Sequence, residues 1–398
     1  MPRSYSAPRA TSTYLFAGGG TGGHIFPGLA IAESLESLAA AQGGHILCLF
    51  LCSNRPLDAR ILAPYNRPFH ILPAAPLSVR PRALVRFAAA WGPSIRATRA
   101  LIRAARTSGP VHMVAMGGFV AAPAVQAARA EHIPITLANL DAVPGKANRW
   151  IARHAHTVFT ALPVSATYAE TWTTVPPIVR AAARATSSKS ACRAALGLSP
   201  DRSTLMVTGG SQGARTINRL LFDLAPSPAL RGWQVLHQCG NTDGSSPSID
   251  DLRTAYAAAS IPSVVAPFVT TMSDWWGAAD LAISRSGAGS VGEAWANQVP
   301  ALFLPYPYHR DQHQKFNAAP LVSAGAGLLT EDCIDPAANL ASIGPLLAGL
   351  LTNPDTLASM TTAYASLDPA DGARRIADSL FGLPAPANLG NPANLEPL

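Results

Sequence analysis

The chain has 398 residues, of which 48% are hydrophobic and only 13% are charged. A chain of about two to three times the usual domain length predicts two domains, each with its own core. The apolar content excludes a disordered or tail-like protein, because such chains are poor in apolar residues and rich in charge.

The positive charge is concentrated in the first half of the chain. The formal net charge is +7, but residues 1–180 contain 17 Lys and Arg against 6 Asp and Glu, so this part alone carries +11. Such asymmetry indicates a domain that faces an anionic partner, either a membrane surface or a nucleic acid. The alternative is a compositional bias towards arginine, which supplies 27 of the 30 basic residues.

No segment predicts export or membrane insertion. Residues 1–12 lack the apolar centre of a signal peptide, and no later stretch of about 18 residues is uninterruptedly apolar. The five cysteines are scattered without the spacing of a metal site, a pattern that favours reduced thiols in a cytoplasmic protein.

Short apolar runs alternate with helical patterns in chain order. Strands are predicted at residues 13–17, 46–52, 111–115, 133–138, 203–208, 264–266, 281–284 and 300–304, and helices at 27–40, 214–224, 291–297 and 314–324. Because the strands are apolar without alternation, they suit parallel sheets covered on both faces. The order predicts an α/β fold with two Rossmann-like, doubly wound domains that face each other across a cleft.

The first domain is predicted at residues 1–180 and the second at 181–382, with a linker near residues 176–188. Residues 383–398 are rich in Pro and Asn, which is typical of a disordered tail. Each domain opens with a strand, a glycine-rich loop and a helix. We therefore expect the ligand in the cleft where the carboxyl ends of both sets of strands meet.

The first glycine-rich loop, GGGTGG at residues 18–23, satisfies the pattern GxGxxG. A dinucleotide site would need an acidic residue after the second strand, but Cys52, Ser53 and Asn54 stand there. A loop at a helix N-terminus presents N–H groups to an anion. His24 follows directly and suits either a proton acceptor or a phosphate ligand, the alternative being a cap on its own helix.

Three further glycine turns follow later strands, at residues 116–120, 209–215 and 286–290. In the second of them Ser211 suits a phosphate ligand or an ordinary N-cap. The third opens a helix with Glu293, which suits two ribose hydroxyls or merely complements the helix dipole. The polar cluster at 311–314, with Asn317 after it, suits sugar hydroxyls or a solvated loop.

Together these motifs resemble the MurG family of peptidoglycan glycosyltransferases. The matching segments, in order between about residues 13 and 331, are GGGTGGHIFPGLAIAESL, MGGFVAAP, PGKANRWIA, GGSQGAR, RSGAGSVGEAWANQVPALFLPYP and DQHQKFNAAPLVSAGAG. The resemblance implies a B-type glycosyltransferase fold, an inverting mechanism, and no obligatory metal or cofactor. The implied reaction moves N-acetylglucosamine from UDP-N-acetylglucosamine to the 4-hydroxyl of undecaprenyl-pyrophosphoryl-muramyl-pentapeptide.

The resemblance also implies roles for single residues, with His24 as the general base. The implied substrate contacts are Thr21, Gly22, Gly23, Asp141, Arg180, Ser211, Val269, Ala288, Gly289, Ser290, Val291, Gly292, Glu293 and Gln314. Two positions depart from the family pattern: Asp141 replaces an Asn, and Phe119 replaces a Tyr. Both lie in the first, acceptor-binding domain, so the identity of the donor is better supported than the details of the acceptor.

A basic segment between Arg82 and Arg106 has helical periodicity. Arg96, Arg99, Arg103 and Arg106 would share one helical face beside apolar side chains. This pattern predicts peripheral binding to an anionic membrane, and the alternative is a solvated helix face. The resemblance implies that this membrane is the inner membrane, bound from its cytoplasmic side. Nucleic-acid binding is disfavoured, because no nucleic-acid motif accompanies the arginines.

Other functions of the same fold stay open at this point. A glycosyltransferase that acts on diacylglycerol and a UDP-N-acetylglucosamine 2-epimerase would share the donor cleft. A noncatalytic nucleotide-sugar binding protein would not need His24.

Overall fold

The structure, a computed structural model, describes residues 11–78, 80–164, 171–210, 213–242, 247–308 and 312–382. The predicted tail at residues 383–398 and the predicted phosphate ligand Ser211 lie outside the described residues.

The first sheet has seven parallel strands in the order β3-β2-β1-β4-β5-β6-β7. These are β1 (Ser12–Ala17), β2 (Ile46–Cys52), β3 (Phe69–Ile71), β4 (Val111–Ala115), β5 (Ile135–Asn139), β6 (Thr157–Thr160) and β7 (Thr173–Thr174). The helices of this half are α1 (Gly22–Ala41), α2 (Pro56–Leu62), α3 (Pro81–Arg106), α4 (Gly118–Ala130) and α5 (Lys146–Ala152). Strands β1, β4 and β5 are buried almost throughout, since helices cover both faces.

The second sheet has six parallel strands in the order β10-β9-β8-β11-β12-β13. They are β8 (Thr204–Thr208), β9 (Gln234–Gln238), β10 (Ser263–Ala266), β11 (Leu281–Ser284), β12 (Ala301–Phe303) and β13 (Gly327–Leu329). The helices are α6 (Lys189–Ala195), α7 (Arg215–Leu224), α8 (Ile249–Ala258), α9 (Met272–Ala278), α10 (Ala288–Asn297), α11 (His313–Asn317), α12 (Ala319–Ala324), α13 (Pro336–Thr352), α14 (Pro354–Ala363) and α15 (Gly372–Phe381).

The two sheets repeat one topology. In each, the first strand of the unit, β1 or β8, lies between its second strand and its fourth, so the strand order reverses beside it. Ligands of doubly wound sheets bind at the carboxyl ends of the strands next to such a reversal. The predicted fold of two Rossmann-like domains is confirmed, and each contributes one reversal point to the cleft.

The last helix does not stay with the second sheet. Side chains of α15, such as Ile376 and Leu380, belong to the core under α1, and Tyr14 Oη donates to the Leu380 carbonyl at 3.4 Å. Residues 181–382 were expected to form the second domain, yet this helix completes the first core. The boundary near residue 180 stays a prediction.

The predicted helices at 214–224 and 291–297 are Arg215–Leu224 and Ala288–Asn297 in the structure. Two other helices differ more from their predicted extents. The first begins at Gly22 and includes Pro27, whereas the prediction began at Pro27. The predicted helix at 314–324 is two helices, because Pro320 stands at the start of the second and has no N–H for a continuous helix. Among the described helices, none is long and apolar enough to cross a bilayer.

Candidate active site

The first glycine-rich loop is held by a buried carboxylate. The N–H of Gly20 donates to both oxygens of Asp58 at 2.9 Å, and Ser53 donates to Asp58 Oδ2 through its N–H at 2.8 Å and its hydroxyl at 2.7 Å. Arg55 Nη1 donates to the Gly20 carbonyl at 2.7 Å. The acidic residue that a dinucleotide site would place directly after β2 is absent from the sequence there, but Asp58 lies six residues further on, on α2, and binds the loop.

His24 lies in the first turn of α1 and is half-buried. Its Nδ1 is 3.2 Å from the hydroxyl of Thr21. Burial lowers the pKa of His24 below its ordinary value, while the Asp141 carboxylate, the Gly19 main chain and Asp58 act in the opposite direction. The ring is therefore neutral near pH 7 and able to accept a proton, as a general base requires.

Two glycines after β4 make room for neighbouring side chains, Gly118 for the His24 ring and Gly117 for Asn148. Gly117 and Gly118 follow β4 with φ values of +93° and +76°, a region that favours glycine. A Cβ on Gly118 would lie 3.1 Å from His24 Cε1 and Nδ1, and one on Gly117 would lie 2.4 Å from Asn148 Oδ1. The next residue, Phe119, lies against Gly20. The Arg55 guanidinium lies over the Phe119 ring, 5.4 Å from the ring centroid. The turn at 116–120 thus packs on the first loop.

The structure brings the predicted substrate ligands Arg180 and Glu293 together. Arg180 Nη2 lies 4.0 Å from Glu293 Oε1, and Nη1 donates to the Tyr65 hydroxyl at 2.8 Å. The guanidinium also stacks 3.8 Å from the centre of the Phe26 ring. Arg180 therefore joins the second domain to the first, and its predicted contact with the diphosphate stays a prediction.

Glu293 is enclosed by partners. Its Oε2 accepts a hydrogen bond from Trp276 Nε1 at 2.9 Å. Burial raises the pKa of Glu293, and the positive charge of Arg180 and the Trp276 hydrogen bond lower it. Because Trp276 binds Oε2, the predicted contact with the ribose would be made by Oε1, the oxygen nearer Arg180.

The N-terminus of α10 is open. A Cβ on Gly287 or Gly289 would meet no atom within 4 Å, so the main chain is accessible there. The preceding loop is fixed by Arg285, which pairs with Asp332 at 2.7 Å and donates to the Leu304 carbonyl at 3.0 Å. Main-chain N–H groups at a helix N-terminus favour phosphate.

The other predicted donor contacts differ in how open they are. Ala288 and Ser290 are half-buried and Gly289 is exposed, whereas Val291 is in the core and Gly292 packs on Pro177. Val269 is buried, which leaves only its main chain for a base. Gln314 Oε1 accepts a hydrogen bond from the Tyr306 N–H at 2.8 Å. Thr21, Gly22 and Gly23 form the N-terminus of α1, where only Gly23 is exposed.

Three of the four arginines predicted to face a membrane converge on one buried carboxylate. Arg99 and Arg103 lie 2.6 and 2.9 Å from Glu131 Oε1, and Arg106 lies 3.9 Å from Oε2. The periodicity found a real helical face, but that face binds the end of α4. Arg96, the fourth, is exposed.

The start of α3 is exposed instead. Leu77, Leu84 and Val85 are 63%, 50% and 68% exposed. Three exposed arginines stand among them in the sequence, Arg80, Arg82 and Arg86. We call these six residues the α3 patch.

Among the described residues, no group of three His, Cys, Asp or Glu side chains could hold a metal ion. The arrangement provides a neutral imidazole in the first turn of α1, next to Gly118 of a second glycine turn, and the N-terminus of α10 favours negative charge. Such a site can deprotonate a hydroxyl and stabilise a phosphate leaving group.

Comparison with known proteins gives the class first. Residues 14–160 match the glycosyltransferase family 28 N-terminal domain, and residues 204–376 match the glycosyltransferase family 28 C-terminal domain. The chain therefore belongs to glycosyltransferase family 28.

Sequence relatives narrow the class. The chain is 36% identical to the UDP-N-acetylglucosamine–N-acetylmuramyl-(pentapeptide) pyrophosphoryl-undecaprenol N-acetylglucosamine transferase of Nocardioides sp., over 91% of this chain and 96% of that one. It is 33% identical to the enzyme of that name from Mycolicibacterium paratuberculosis, over 97% and 92%. The chain belongs to the family of these transferases, the MurG family.

Solved structures share the fold. MurG of Acinetobacter baumannii superposes with a TM-score of 0.66 at 24% identity, over 94% of this chain and all of that one. A UDP-N-acetylglucosamine 2-epimerase of Neisseria meningitidis gives a TM-score of 0.59 at 12% identity, over 93% of this chain and 99% of that one. The fold alone therefore does not separate a transferase from an epimerase.

Proposed function

We propose that the chain transfers N-acetylglucosamine from UDP-N-acetylglucosamine to the 4-hydroxyl of undecaprenyl-pyrophosphoryl-muramyl-pentapeptide, with inversion at the anomeric carbon. The observation that carries the proposal is the neutral His24 at the N-terminus of α1. The identity of 36% to transferases of this name supports the choice of substrates. The reaction would place the chain in cell-wall synthesis, and thereby in the maintenance of cell shape and in division.

The chemistry follows from the site. The 4-hydroxyl of the muramyl sugar attacks the anomeric carbon, its proton passes to His24, and the bond to UDP breaks. Negative charge grows on the leaving diphosphate, and the N-termini of α10 and α7 stabilise this charge. Glu293 holds the ribose, the main chain at Val269 holds the uracil, and Gln314 holds the transferred sugar. Thr21, Gly22 and Gly23 contact the acceptor diphosphate.

The acceptor carries a lipid, so the enzyme must reach a membrane surface. We propose that the α3 patch binds the anionic inner membrane from the cytoplasmic side. Its apolar side chains suit the acyl boundary and its arginines suit anionic headgroups, each adding about 1 kcal/mol. The α3 patch adjoins the predicted face from Arg96 to Arg106, where three arginines share the one carboxylate of Glu131 and stay partly exposed.

One assay tests the acceptor, the reaction and the membrane contact together. Purified enzyme receives labelled UDP-N-acetylglucosamine and vesicles that contain either the lipid-linked muramyl-pentapeptide or diacylglycerol, in anionic or zwitterionic lipid. We expect label only in the muramyl lipid, with faster transfer in anionic vesicles. Label in diacylglycerol, or epimerised free donor, would overturn the proposed function, and equal rates in both lipids would overturn the membrane contact alone.

A further inference from the structure

A single amide side chain joins the two domains beside the site. Asn317, at the end of α11, is fully buried. Its Nδ2 donates to Asp141 Oδ1 at 2.9 Å and to the Ser286 carbonyl at 3.3 Å, and its Oδ1 accepts from the Ala142 N–H at 2.9 Å. Asn317 thus binds both a side chain and the main chain of one turn in the first domain.

That turn is also held from within its own domain. Asn139 Nδ2 donates to the Asp141 carbonyl at 2.7 Å and to the Thr160 hydroxyl at 3.0 Å. Asn139 Oδ1 in turn accepts from Asn148 Nδ2 at 2.9 Å. Asn139, in the first domain, therefore holds the main chain of Asp141, and Asn317, in the second domain, holds its carboxylate.

The sheet places the Asp141 carboxylate and His24 at the same edge, after the carboxyl ends of two strands that are separated by one strand. Strand β4 lies between β1, which precedes His24, and β5, which precedes Asp141. After β4, a Cβ on Gly118 would lie 3.1 Å from the His24 ring, and a Cβ on Gly117 would lie 2.4 Å from Asn148, which donates to Asn139 beside the turn. The charged groups that act on His24 are Asp141 from this turn and Asp58 from α2, and Arg55 binds the same loop.

We propose that Asn317 is a positioning residue that holds the Asp141 carboxylate beside His24, so that the base is complete only where the two domains meet. The role rests on the proposed function. As the acceptor hydroxyl gives its proton to His24, the ring becomes an imidazolium, and the carboxylate stabilises that positive charge until the proton leaves to solvent. The Asn that the family pattern carries at this position would supply no charge.

The pKa of His24 in the substrate-free, full-length protein gives the test. Histidine ring resonances are followed by NMR as a function of pH, and the His24 signal is assigned by its loss in His24→Gln. In Asp141→Asn, which keeps an acceptor oxygen for Asn317, and in Asn317→Ala, we expect the titration midpoint to move to lower pH. The control Asn297→Ala removes an amide that binds main-chain atoms of residues 183 and 185, and it should leave the midpoint in place.

Each result decides a separate point. An unmoved midpoint in Asp141→Asn overturns the contact between the carboxylate and His24. If the His24 titration midpoint moves in Asp141→Asn but not in Asn317→Ala, the positioning role of Asn317 is overturned. If Asn317→Ala does not fold, Asn317→Ser takes its place. Since no substrate is present, these outcomes are independent of the acceptor assay. In the active enzyme, the acid limb of the kcat profile should move with the midpoint.

Discussion

The two strand–loop–helix units begin alike in sequence but are held by different means. In the first, the buried Asp58 carboxylate binds Gly20 and Ser53. In the second, as far as the described residues show, the contacts are neutral: the Gly210 N–H donates to the Thr208 hydroxyl at 3.1 Å, and that hydroxyl donates to Gln238 at 2.7 Å.

The difference reflects what each loop has to hold. The first loop must fix a side chain, His24, in place for proton transfer, and a charged acceptor makes stronger hydrogen bonds than a neutral one. The second loop only presents main-chain N–H groups, for which a neutral anchor suffices. The comparison predicts that changes in the first unit alter turnover and changes in the second alter donor binding.

The largest effect is expected from His24→Ala. Loss of the base should lower kcat by about 10² to 10⁴, with little change in the KM for UDP-N-acetylglucosamine. Because burial lowers the pKa of His24, the neutral form prevails above it, so kcat of the unaltered enzyme should fall only on acidification below the ordinary pKa of histidine. Arg215→Gln serves as the counterpart, because Arg215 is the exposed first residue of α7 and ends the glycine turn at 209–215. Loss of its positive charge beside the predicted diphosphate should raise KM with kcat preserved. Near-normal turnover of His24→Ala would remove the distinction between the loops.

An intermediate effect is expected from the two anchors. Asp58→Asn places an NH₂ group against the N–H donors of the loop, and leaving buried donors unpaired costs about 1–3 kcal/mol each. The free energy of unfolding should therefore fall by roughly 3 kcal/mol, measured by urea denaturation. Thr208→Val removes one neutral anchor and should cost about 1 kcal/mol. Equal losses in the two variants would contradict the proposed difference.

The smallest effect is expected from a pair of glycine substitutions. Gly118 and Gly210 both have φ of +76°, so alanine at either costs about 1–2 kcal/mol of stability. Only at Gly118 does the added Cβ approach the His24 ring, and a Cβ on Gly210 meets nothing within 4 Å. Gly118→Ala should thus lose roughly tenfold in kcat, equivalent to about 1.4 kcal/mol, beyond the loss in Gly210→Ala. Identical kinetics in both would show that the space beside His24 is not needed.

Local sequence signals were sufficient for most strands and for the glycine loops. Strands β2, β4 and β11 have the predicted bounds, because continuous apolar runs mark buried parallel strands. Strand β9 was missed because its sequence, QVLHQ, is polar at three of five positions. Tertiary partners make those polar groups acceptable in the sheet: Gln234 donates to the Ser199 carbonyl at 2.9 Å, and His237 lies 2.8 Å from the Tyr256 hydroxyl.

The site shows the same limit. The motif put His24 directly after the glycine-rich loop but three residues before the predicted helix, whereas His24 lies in the first turn of α1. It gave no sign of Asp58, which is 38 residues from Gly20, or of the bond between Asn317 and Asp141, 176 residues apart. Helical periodicity likewise predicted the arginine face of α3 but not its partner, Glu131. The spacing of residues along one helix shows which of them share a face, but not which residues of another element pack on that face.

The crossing of α15 to the first core also sets the order in which the molecule can be assembled. Tyr14 and Leu380, which it brings together, are 366 residues apart. At about 5–20 residues per second, a ribosome needs roughly 20 to 70 s to make the residues between them. During that time the surface of α1 that α15 covers in the folded protein stays exposed. The core of the first domain can therefore be completed only after the second domain has been synthesised.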